Sequence, residues 1–112
     1  MDIWGIERAV LKDSQQIKDA LSAMAAELKL EMTDSSSTET SQGGHRCFAC
    51  LENGWVTLST YPEQEIMMMD AVIHDGKGTA AAVGEYIFRH FGGAARLNRK
   101  SFLMERGIKS EQ

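Results

Sequence analysis

The chain has 112 residues, 43% of them hydrophobic and 25% charged, with a net charge of −4. That length and balance fit one globular domain with a modest core and exclude a disordered chain. An acidic balance lacks the basic bias of a nucleic-acid surface, and no apolar run approaches the roughly 20 residues needed to span a bilayer.

Met1-Asp2-Ile3-Trp4-Gly5 has no basic region leading into an apolar stretch, so no signal peptide is predicted and the expected compartment is the cytoplasm. Residues 1–12 hold a short apolar segment, read as an opening strand. Asp13 or Ser14 can then cap a helix, because a side-chain oxygen accepts from the free N–H groups of a first turn. Ile17, Leu21, Met24 and Leu28 follow at spacings of four, three and four. This is one face of an amphipathic helix over 14–29.

From Thr33 to Gly44 the chain carries no large apolar side chain, which predicts a mobile loop, a solvated connector rather than a functional lid. Two strands should follow, His45–Leu51 and Trp55–Thr60. Between them Asn53-Gly54 favours the positive φ angles of a tight hairpin, making the two strands antiparallel neighbours. Cys47 and Cys50 have the spacing of a redox pair or of half a zinc site, for which His45, His74 and His90 are the available nitrogen ligands. Lying within an apolar strand, they read first as buried structural thiols, and no metal site is expected.

Tyr61-Pro62-Glu63 breaks the second strand, and Ile66 to His74 reads as a further strand. Asp75 to Gly78 is a turn. A helix over Thr79–Phe91 should bury Ala80, Val83, Ile87 and Phe91, and Gly92-Gly93 should stop it. The last element is a strand over Ala95–Glu105. The basic residues that thicken there, Arg96, Arg99, Lys100, Arg106 and Lys109, read as a solvated strand and tail rather than a phosphate-binding patch. The predicted fold is α+β, a two-layer α/β sandwich in the order βαβββαβ. A largely antiparallel sheet carries two helices on one face. One domain spans 1–107, with a tail over 108–112.

Particular segments in this order carry a resemblance. Asp2-Ile3-Trp4-Gly5-Ile6, Leu11-Lys12-Asp13, and Ile17 and Leu21 with Ala25-Ala26 resemble the opening of bacterial S-adenosylmethionine decarboxylase. Leu58-Ser59-Thr60-Tyr61-Pro62-Glu63 is similar to that family's Ile-His-Thr-Trp-Pro-Glu segment. Met69-Asp70-Ala71-Val72 resembles its Val-Asp-Val-Phe strand, and Phe102 to Gly107 its closing strand. The match runs over about residues 1–107.

The resemblance implies a protein that cuts itself at a Glu-Ser bond and turns the serine into a pyruvoyl group. That group is the electron sink for losing carbon dioxide from the substrate, in spermidine biosynthesis. Aligned on Pro62-Glu63, however, the serine falls on Gly54 and its preceding glutamate on Asn53. A one-residue slip places the cut at Glu52-Asn53 and still supplies no serine. The family's processing histidine falls on Ser59, its processing serine on Arg46, and its cysteine proton donor on His74. Its adenine-stacking residues fall on Thr40 and Ser59. No pyruvoyl cofactor is therefore expected.

The resemblance carries ligand contacts to Tyr61, which would line the pocket, and to Glu63, whose carboxylate can accept from both hydroxyls of a ribose. The bland alternative is a mere corner between strands. Arg46 can hold a carboxylate or be an edge-strand charge. His74, which titrates near neutrality, can be a general acid or base or an exposed strand end. Trp55 reads as core or interface. The expectation is a metabolite-binding or regulatory relative, homodimeric as its family implies, with the Met67–Met69 run available for contacts. Two alternatives stand beside it. One is a pyruvoyl-independent lyase or hydrolase acting on S-adenosylmethionine. The other is a genuine decarboxylase processed elsewhere, for instance at Ser35–Ser37.

Overall fold

The computed structural model describes residues 1–74, 79–92 and 103–104. The chain runs β1 (Asp2–Trp4), α1 (Arg8–Leu11), α2 (Ser14–Glu27), β2 (Met32–Glu39), β3 (His45–Leu51), β4 (Gly54–Tyr61), β5 (Ile66–Ile73), α3 (Thr79–Gly92) and β6 (Leu103–Met104). The strands form one antiparallel sheet in the order β2-β3-β4-β5-β1-β6. Of the predicted closing strand, only Leu103–Met104 falls among the described residues, and the tail over 108–112 lies outside them.

The two long helices lie on one face of the sheet, as the two-layer reading requires. Helix α2 buries Ile17, Ala20, Leu21 and Met24, and α3 buries Val83, Ile87 and Phe91. Facing them are Ile3, Cys47, Ala49, Val56, Leu58 and Met67. The alternation of the strands selects this set, since every second side chain of a strand shares a face. The helix ends also follow from local chemistry. Asp13, not Ser14, caps α2, accepting from Gln16 N at 3.1 Å. The other end stops two residues short of the predicted boundary, where Lys29 takes a left-handed φ of 58°. Leu30 N then bonds Ala25 O at 2.8 Å and Lys29 N bonds Ala26 O at 3.3 Å. This is the Schellman pattern, with lysine at the place glycine prefers.

Three expectations are corrected. The predicted loop over 33–44 is in large part strand β2, the edge of the sheet, paired from Met32↔Leu51 to Glu39↔His45. From Thr33 on, its side chains lie in solvent on both faces, so no hydrophobic alternation betrays it. The backbone ladder to β3 holds it, and the order βαβββαβ gains a strand. The turn proper is confined to 40–44, where Thr40 N bonds Gly44 O at 2.8 Å. A single-turn helix, α1, is likewise too short to show a period.

The β3–β4 hairpin is antiparallel as expected, but its turn is displaced. Leu51 pairs with Gly54, leaving Glu52 and Asn53 as the loop, and none of Glu52, Asn53 and Gly54 has a positive φ. Glycine is needed at 54 for a different reason. A β-carbon there would overlap the Val72 carbonyl oxygen and stand 2.8 Å from both Val72 C and Ile73 Cα.

No helix among the described residues is long and apolar enough to cross a membrane.

Candidate functional site

Of the residues singled out by sequence, the face of the sheet away from the helices carries Arg46, Ser59 and Tyr61. Register sets them in rows. Arg46, Ser59, Met68 and Asp2 are cross-strand neighbours in one row. Phe48, Thr57 and Asp70 form the next, and Cys50, Trp55 and Val72 the third. On the other side of the first row lie Tyr61, Ile66 and Trp4.

Within the first row Arg46 Nε donates to Ser59 Oγ at 3.3 Å. Arg46 is exposed and Ser59 buried. Two positions where the resemblance would place processing residues are thus bonded to each other. The guanidinium keeps its other N–H donors, enough to receive a carboxylate in the forked geometry arginine favours.

Tyr61 ends β4 half-buried, and Pro62 opens a 3-10 turn with Glu63 exposed in it. The corner is tied down from behind. Glu65 closes it at φ 57°, and its carbonyl accepts from Gly5 N at 2.9 Å and Ile6 N at 3.2 Å. Arg8 reaches the Glu65 carboxylate at 3.8 Å. A shallow groove lined by Glu7, Arg8, Ala9 and Glu65 lies beside this corner and contains none of the predicted site residues.

Asn53, Gly54 and His74 occupy the opposite end of the sheet. His74 N donates to Asn53 O at 2.8 Å, and the His74 side chain is exposed. From Gly54 to Tyr61 is seven residue steps along a strand, about 23 Å. The fold therefore brings His74 to the Asn53-Gly54 turn and Ser59 to Arg46, but holds Tyr61 and Glu63 far from His74. Thr40, at the predicted adenine-stacking position, lies in the β2–β3 connection with no ring to offer.

The cysteines separate as well. Cys47 faces the helices and Cys50 the other side. Three residues along a strand is about 10 Å, beyond the Cα separation a disulfide tolerates. Both are free thiols. Burial pushes the Cys47 thiol up from its ordinary pKa, against a smaller opposing pull from Lys18. Among the described residues no three of His, Cys, Asp and Glu gather as a metal site.

The sequence reading missed the apolar character of this open face. Phe48 and Trp55 stack with ring centroids 6.1 Å apart, and Trp4 and Val72 are each 37% exposed. The signal was present. Strands β3 to β5 are apolar at odd and even positions alike, while two helices can cover only one face.

The S-adenosylmethionine decarboxylase family model matches residues 1–102. The chain belongs to that family. The crystal structure of the adenosylmethionine decarboxylase from Aquifex aeolicus superposes with a TM-score of 0.72, covering 99% of this chain and 89% of that one at 19% identity. At that identity the likeness establishes the fold alone. No curated protein matches the chain.

The resemblance places the family's pyruvoyl group at position 54, and the residue there does not fit it. Glycine has no side-chain oxygen to take the upstream acyl group and then be eliminated, the two steps that leave a pyruvoyl group behind. The β5 backbone also occupies the space a β-carbon would need.

Proposed function

We propose that the chain is a non-cleaving member of the S-adenosylmethionine decarboxylase family. It binds S-adenosylmethionine or a close analogue and serves as a binding or regulatory protein, without pyruvoyl chemistry. The observation that carries this reading is Gly54, which lacks both the oxygen and the room for the reactive group. Support for retained binding comes from the other end of the sheet, where Tyr61 and Glu63 stay accessible on a corner braced by Glu65. Arg46, two strands from β5, offers a cation for the carboxylate that a non-decarboxylated ligand keeps.

The proposed assembly is a homodimer through the helix-free face. Trp4, Phe48, Trp55, Met68 and Val72 leave an apolar surface there, of the kind that marks a contact. The candidate residues, divided between ends about 23 Å apart, suit such a pairing. A two-fold axis running across the strands sets the Tyr61-Glu63 end of one copy over the Asn53-His74 end of the other.

Titration calorimetry with S-adenosylmethionine tests the binding. The reading expects a saturable heat that Glu63→Gln weakens about tenfold or more, the worth of a hydrogen bond to a charged group. No heat from the native chain would sink it. Methylthioadenosine released by an uncut chain would assign the pyruvoyl-independent enzyme instead.

A further inference from the structure

We infer that the hairpin end at position 54 is closed to any side chain, so that restoring the family's serine does not restore self-cleavage. The inference rests on the reading of the chain as an uncleaved relative and adds a steric bar to the chemical one.

The atoms that a β-carbon at 54 would meet are Val72 O, Val72 C and Ile73 Cα, all backbone. A flexible side chain can swing aside, but a strand in a ladder cannot. Gly54↔Ile73, Trp55↔Val72 and Val56↔Ala71 fix the β4–β5 register, and the His74 N to Asn53 O bond extends it past the turn. On the other side Trp55 stacks on Phe48 and holds the start of β4 to β3. Admitting a side chain requires the first residues of β4 to lift from β5, which breaks the Gly54 pairing and the His74 bond together. The other processing positions are also committed, since Arg46 and Ser59 bond each other.

Gly84 supplies the contrast. A β-carbon there meets only the flexible ends of Met1 and Met69, at 3.4 and 3.6 Å. Melting curves and intact-mass spectra of Gly54→Ala, Gly54→Ser, Gly84→Ala and the combined variant R46S/N53E/G54S/S59H/H74C test the inference. Both single substitutions at 54 should lower the melting temperature by about 5–10 °C or more, as overpacking does, and Gly84→Ala should not lower it. Gly54→Ser and the combined variant should each remain one uncut chain. Gly54→Ala melting with the native protein, or a cut between 53 and 54 in either serine-bearing variant, would overturn the inference. The parent reading fails separately, if the native chain itself releases carbon dioxide from S-adenosylmethionine.

Discussion

Thr60 joins three elements through one hydroxyl. Its Oγ1 donates to Leu11 O at 2.9 Å and accepts from His45 N at 2.9 Å, fully buried between α1, β3 and β4. Thr60→Val keeps the shape and strands both partners, so it should cost roughly 2–4 kcal/mol in chemical denaturation, the desolvation of two unpaired groups. The cysteines give a second prediction. Cys47 should resist an alkylating agent until the chain unfolds. Because burial raises the Cys47 pKa in the fold, its contribution to stability is complete below the unfolded value, about 8.5. That contribution is lost as the pH rises through the folded value. Stability should therefore fall on the alkaline side, and Cys47→Ala should remove that fall in pH-dependent melting curves. The reading of Cys47 as a small buried hydrophobe was available from its apolar neighbours. The reason for glycine at 54 was not, because the atoms that demand it belong to β5, some eighteen residues later in the chain.

At the scale of elements, the long helices were legible from their apolar period, and the strands β3 to β5 from short apolar runs bounded by turn residues. Strand β2 was not. An edge strand with solvent on both faces needs no apolar residue, and Thr33 to Glu39 differs from a loop only in what its backbone bonds to. Such an edge can recruit another strand. Two copies of β2 paired antiparallel with Ser36 opposite Ser37 would set Asp34 opposite Glu39, and facing like charges oppose that contact. Asp34→Asn with Glu39→Gln should consequently raise concentration-dependent light scattering. Unchanged scattering would show that these charges do not guard the edge. Helix α2 offers a test of opposite sign. Lysine at 29 bears the cost of a left-handed backbone, so Lys29→Gly should stabilise the fold by about 0.5–1 kcal/mol.

For the whole molecule, one layer of helices leaves Trp4, Phe48, Trp55, Met68 and Val72 partly exposed on the other face of the sheet. The proposed second copy would cover these side chains, and sedimentation should then find a dimer that Val72→Lys converts to monomer with an unchanged circular dichroism spectrum. Val72 is exposed in the single chain, so this substitution separates assembly from folding. Nothing in the chain's own period revealed which face the two long helices would cover, since their arrangement on the same side is a property of the assembled sheet. The family fold is proposed to persist here without the family's self-made cofactor. This is tested most directly by the intact mass of the purified protein after incubation with S-adenosylmethionine, with released carbon dioxide measured in the same vessel. A single uncut chain and no carbon dioxide are the expected result. Two fragments divided at Asn53-Gly54, accompanied by decarboxylated product, would contradict it.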